Sequence, residues 1–138
     1  NGRLHPQHIN NASWFVHPST LPQLLTLSIE TGTSGWYVPV LNQTGSGMSI
    51  FNRPVVVSEH CSPLGDQGDV VLADMSQYVV GLRSEISFAR SEHAYFSSDH
   101  VGFRWITRVD GMPSWQSAYT PRYRSDTLSP FVVLVERA

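Results

Sequence analysis

The chain has 138 residues, nine Lys+Arg against eleven Asp+Glu, a net charge of −2, 41% hydrophobic and 14% charged residues, and one cysteine. A single domain of this length buries roughly 65–70% of the surface its unfolded form exposes, so a core needs no covalent staples, and a lone cysteine excludes a disulfide scaffold. No apolar run approaches the roughly 18 residues of a membrane-spanning helix, and scattered cations at near-neutral charge argue against DNA binding through phosphate neutralisation.

The start, Asn1-Gly2-Arg3-Leu4, has neither an initiator Met nor the regions of a signal peptide, so the chain is expected to be a piece of a longer one. Residues 1–13 are polar and without period, and read as an arm or loop. Trp14-Phe15-Val16 predicts a short strand closed by His17-Pro18. Leu21, Leu24, Leu25 and Ile29 fall at i, i+3, i+4 and i+8 and predict a helix. Thr20 and Gln23 suit a capping box, Pro22 suits the first turn, and Gly32 and Gly35 mark the stop. From Trp36 onward the chain turns mostly β, with strands predicted over 36–40, 54–58, 69–73, 78–83, 86–89, 101–109 and 130–136. In the longest of these, Val101, Phe103, Trp105, Thr107 and Val109 fall on one face, and Gly102, Arg104, Ile106 and Arg108 on the other. Asp110-Gly111 and Met112-Pro113 are expected to end it as a turn. Residues 111–129, rich in Trp, Tyr, Pro and Ser, read as an extended excursion.

All nine basic residues are arginine, which removes Schiff-base, P-loop and lysine-base chemistry. Six histidines raise the question of a metal. Pro6 disfavours a helix that would bring His5 and His8 onto one face, His93, Asp99 and His100 could meet across a turn, and no HExxH, HxH or Cys-x-x-Cys spacing occurs, so no metal or other cofactor is expected. His60 beside Cys61 would point to opposite faces of a continuing strand, against a thiol dyad. Gly65-Asp66-Gln67-Gly68 lacks a phosphate-binding spacing and reads as a connector. The carboxylates Asp66 with Asp69, and Glu85 with Glu92, read as solvated surface. Nothing here makes a catalytic constellation, and the chain is read as a non-enzyme.

Several pieces, taken in order, resemble a known family. They are Trp14-Phe15-Val16-His17-Pro18-Ser19-Thr20-Leu21 running into Leu24-Leu25, then Arg53-Pro54-Val55-Val56-Val57-Ser58-Glu59, then Gly68-Asp69-Val70-Val71-Leu72-Ala73-Asp74 with Ser76-Gln77-Tyr78. A strand with Phe96, the arginine-bearing strand closing on Arg108-Val109-Asp110-Gly111, and Phe131-Val132-Val133-Leu134 follow. This order resembles the C-terminal half of a tailed-bacteriophage major capsid protein, of the fold named after a Hong Kong lambdoid phage. The resemblance implies an α+β fold with a mixed, mainly antiparallel sheet and few helices. It divides the fragment into an axial domain over about 14–96 and, over about 97–138, a return strand toward the peripheral domain with the C-terminal strand.

The function implied is a phage or prophage head protein, assembled in the bacterial cytoplasm into pentamers and hexamers of an icosahedral shell around double-stranded DNA. Its partners are copies of itself, with DNA touched only non-specifically and no membrane, and the fragment alone can stay monomeric. Interfaces favour aromatics and arginine over lysine, and Arg104, Arg108, Trp115 and Tyr119 are the candidate subunit-interface residues. Some members cross-link a lysine to an asparagine with help from a glutamate. Here Asp99 and Ile106 stand at the expected asparagine and glutamate positions and the region has no lysine, so no such cross-link is expected. Ala73 replaces the glycine that usually precedes the position of Asp74. The alternatives are an encapsulin-like compartment shell and, from another class, a soluble ligand-binding or hydrolytic domain, which a pocket lined by His60, Asp66 or His93 would favour.

Overall fold

The computed structural model describes residues 2–31, 36–45 and 47–136. They form two compact units, one running to Gln77 and resuming at Trp115, the other spanning Tyr78–Ser114. In chain order the first unit holds β1 (Ser13–Val16), the helix α1 (Leu21–Thr26), β2 (Ser28–Thr31), β3 (Trp36–Pro39), β4 (Leu41–Thr44), β5 (Gly47–Ile50), β6 (Arg53–Val57) and β7 (Val70–Ala73). The second unit is β8 (Tyr78–Tyr95) and β9 (His100–Pro113), and β10 (Phe131–Val133) returns to the first. The expected α+β class, with a mixed, mainly antiparallel sheet and few helices, is what forms.

The first unit is built on a six-stranded sheet in the order β10-β7-β1-β6-β5-β4. β1 lies inside it, parallel to β6 through Trp14↔Val55 and antiparallel to β7 through Trp14↔Leu72. Two small buried clusters sit against the sheet, Leu4, Ala12 and Leu72 in one, Val40, Leu41 and Ile50 in the other. Trp14 packs against both and donates its indole N–H to the Ile50 carbonyl at 3.1 Å. β5 and β6 are joined by Phe51-Asn52, both at positive φ (49° and 60°), with Ile50 opposite Arg53. That is the two-residue turn whose twist suits a hairpin. The Gly65–Gly68 connector is held from within, with Gly65 and Gly68 at positive φ and the fully buried Asp69 accepting from the Gly65 N–H at 3.1 Å.

The helix is shorter than its stripe. α1 ends at Thr26, Leu27 is already extended, and Ile29 pairs with Val38 across β2 and β3. Leu25, Leu27 and Ile29 are all about half exposed, so the stripe gains no burial to hold further turns, and a helix this short is marginal without it. The expected stop at Gly32 and Gly35 lies outside the described residues. The capping box is also absent: Thr20 is itself helical and its hydroxyl donates to the His17 carbonyl at 2.7 Å. The cap sits earlier, where His17 Nδ1 accepts from the Ser19 N–H at 3.1 Å.

The runs at 78–83 and 86–89 are one strand. β8 pairs with β9 from Tyr78↔Pro113 to Tyr95↔His100, with register shifts near Ser84 and Tyr95. The turn expected at Asp110–Pro113 is strand instead, since Gly111 pairs with Val80 and Met112 with Val79. The chain reverses at Phe96–Ser98 and Asp99, which adopts the left-handed conformation at φ 51°. A domain boundary near residue 96 would cut this hairpin at its tip; the compact units divide at Gln77/Tyr78 and Ser114/Trp115.

Candidate subunit interfaces

Residues directly opposite in an antiparallel pair share a face, so the hairpin's two sides follow from its register. One side carries Leu82 with Val109, Phe88 with Trp105 and Arg90 with Phe103. Its rings form a cluster, Phe88 to Phe103 at 6.0 Å, Phe88 to Trp105 at 5.4 Å and Phe103 to Trp105 at 6.1 Å between centroids. The other side carries Ser84 with Arg108, Ser87 with Ile106, Ala89 with Arg104 and Ser91 with Gly102. This is the division that the alternation over 101–109 predicts. What alternation could not give is burial: Leu82 is 70% exposed, Trp105 64%, Phe88 58% and Phe103 54%. Four surface concavities lie along the hairpin, one bounded by Arg90, Tyr95, Phe103 and Arg104, and none of the four is lined by His60, Asp66 or His93.

The four candidate interface residues divide between the two units. Arg104 and Arg108 share the hairpin's small-residue face, whereas Trp115 and Tyr119 belong to the other unit. Trp115 is half-buried, with ring centroids 5.3 Å from His5 and 5.6 Å from His8, edge-on in both cases. Tyr119 is 54% exposed, lies 6.3 Å from His5, and exchanges backbone hydrogen bonds with Leu128 at 2.8 and 2.7 Å.

Pro6 does not keep His5 and His8 apart, contrary to expectation. It takes the first position of a 3-10 turn over Pro6–His8, where its missing N–H costs nothing, and the rings stand 5.6 Å apart. His8 Nδ1 then meets the buried Asp74 carboxylate at 2.8 Å. Asp74 also accepts from the Ser76 N–H at 3.0 Å and the Ser76 hydroxyl at 2.7 Å. An ionised carboxylate only accepts, so the His8 contact is an Nδ1–H donation. Burial raises the Asp74 pKa, and the bonds from Ser76 and His8 outweigh it, leaving it below the ordinary carboxylate value. The pair spans 66 positions, and no local sequence signal could have joined its members.

Other candidate chemistry disperses. Among the described residues no three His, Cys, Asp or Glu side chains converge as a metal site would require. Cys61 is a half-buried free thiol in the turn after β6, and burial raises its pKa, the opposite of nucleophile activation. His60 and Cys61 do not continue the strand, since β6 ends at Val57. Asp69 is not solvated surface as expected but a buried loop anchor. Glu92 pairs with Arg90 at 2.5 Å rather than with Glu85.

Residues 1–120 match the model of the phage capsid family. Among solved structures the chain is similar to "Capsid of empty GTA particle computed with C5 symmetry", at 17% identity and a TM-score of 0.59. The match covers 82% of this chain and 38% of that one. No curated protein matches it significantly.

Proposed function

The chain belongs to the phage capsid family, and on that premise we propose that it is the shell-forming part of a phage or prophage head protein, assembling into pentamers and hexamers of an icosahedral particle around double-stranded DNA. The family match over residues 1–120 is the observation that carries the reading. On this reading the fold is of the type named after a Hong Kong lambdoid phage, the sheet-bearing unit corresponds to the axial domain, and the β8–β9 hairpin belongs to the peripheral domain. That would move the domain boundary from residue 96 to the two ends of the hairpin.

The hairpin's physics supports a shell. A two-stranded ribbon with both faces in water is marginal on its own, and contiguous exposed aromatics mark a surface that another element covers. Arg104 and Arg108 are proposed as interface residues on the hairpin. Tyr119 remains a candidate through its exposed ring, and Trp115 acts through the His5–His8 cluster behind it. Near-neutral charge suits a shell wall that touches DNA weakly and without sequence preference. Assembly would take place in the host cytoplasm, without covalent cross-links, and the fragment alone would stay monomeric.

The test is cryo-electron microscopy of the full polypeptide that contains this chain, expressed alone in a bacterium. Closed particles with five- and six-fold capsomers, in which this chain fits the density, are expected. A soluble monomer or small closed oligomer at all concentrations would sink the reading.

A further inference from the structure

We infer that the Arg104–Ile106–Arg108 face of the hairpin is a docking surface for a carboxylate-bearing segment of a second copy of this protein, an inference that rests on the shell reading. Four of the chain's nine arginines already have local work. Arg90 pairs with Glu92 at 2.5 Å, Arg3 and Arg124 both reach Asp126 at 3.6 and 3.8 Å, and Arg53 donates to the Ile9 carbonyl at 2.8 Å. Arg104 and Arg108 are exposed, and among the described residues neither guanidinium has an ion-pair or hydrogen-bond partner.

Their setting is shaped for an extended partner. The two alternate on one strand face, about 13 Å apart at the usual rise, with the half-buried Ile106 between them. Opposite stand Ser84, Ser87, Ala89 and Ser91, so the guanidiniums rise over a shelf of small side chains. A planar guanidinium binds carboxylate through two parallel N–H donations, a geometry that lysine cannot copy. Nucleic acid suits the site less. The hairpin's four arginines are matched by Glu85, Glu92, Asp99 and Asp110, leaving no net field to draw a polyanion. The same sequence supplies the complementary charge, since Glu59, Asp66, Glu85 and Asp99 are exposed and have no ion-pair partner among the described residues.

The absence of lysine from these 138 residues makes a clean probe possible. In the full polypeptide, Arg104→Lys places a single side-chain amine within this stretch at the proposed contact. A zero-length carbodiimide activates a nearby carboxylate, the amine displaces the urea, and an amide records direct contact. Particles built from mixed isotope-labelled and unlabelled copies are expected to give an amide between the introduced amine and a carboxylate of a different copy. Particles that assemble normally but give only intrachain amides, or none, would overturn the inference.

A second measurement is the critical concentration for assembly of Arg104→Ala/Arg108→Ala. It should rise about tenfold and lose much of its salt dependence. An unchanged value overturns the inference, and if the variant's particles instead lose co-purifying nucleic acid, the face binds DNA. Wild type that forms no particles sinks the shell reading as well, whereas wild-type particles with an indifferent variant sink this inference alone.

Discussion

Asp74 is the residue on which the N-terminal segment depends most. It is 1% exposed, and its two oxygens hold His8 from one side and Ser76 from the other. Asp74→Ala leaves the buried His8 without its partner and frees the exposed Ser76, and should cost about 3 kcal/mol, measured by chemical denaturation. The pH dependence has a definite sign. A carboxyl depressed in the folded state contributes stability that is present above its unfolded value of 3.8 and lost as pH falls through the lower folded value. Stability should therefore show an acid-limb loss below about pH 4 that Asp74→Asn removes. A limb unchanged in that variant would assign the loss elsewhere. Gly111 is a second sensitive position, for a steric reason. A Cβ there would lie 2.5 Å from the Tyr78 ring, so Gly111→Ala should swing that ring aside and cost about 1 kcal/mol. The readout is Tyr78 ring chemical shifts, with Tyr78→Ala restoring tolerance of the alanine.

At the scale of elements, Trp14 ties the sheet together. It touches both buried clusters and reaches the Ile50 carbonyl on β5 from β1. Trp14→Ala should cost about 3–5 kcal/mol, and Trp14→Phe about 1–2 kcal/mol, mostly for the orphaned carbonyl, both read from denaturant midpoints at unchanged slope. β1 and β7 were legible because their apolar runs include buried positions, Val16 in one and Leu72 and Ala73 in the other, whereas β6 was legible from its β-branched run alone, with Val56 and Val57 exposed. The helix was over-read because, beyond Leu24, which packs against the Val40 cluster, Leu25 and Ile29 are about half exposed and gain no burial, so strand pairing of Ile29 with Val38 decides the conformation. β4 and β5 were missed because Asn42, Gln43 and Ser49 dilute their pattern, and Phe51, a bulky residue at positive φ, hides the turn that Asn52 would signal. In the hairpin, alternation correctly sorted Arg104 and Arg108 from Phe103 and Trp105. It gave no sign that both sides face solvent, because exposure depends on what else the assembled protein supplies.

At the scale of the whole molecule, the question is what holds copies together once they meet. Covalent closure between subunits needs a nucleophilic amine, an amide whose ammonia can leave, and a base between them. These residues supply none of the three at the expected places. No lysine occurs in the chain; Asp99, at the hairpin tip, carries a carboxylate that when ionised offers no comparable leaving group; and Ile106 is half-buried hydrocarbon on the face that carries Arg104 and Arg108. On the proposed shell reading, the cohesion that these residues contribute comes from apolar burial and guanidinium contacts, both of which denaturant and detergent abolish. Assembled particles boiled in detergent should run as a single monomer band on electrophoresis, and their disassembly should respond to salt as the arginine contacts are screened. A ladder of covalent multimers from untreated particles would show that a lysine and an amide elsewhere in the full polypeptide take the roles that this chain leaves empty.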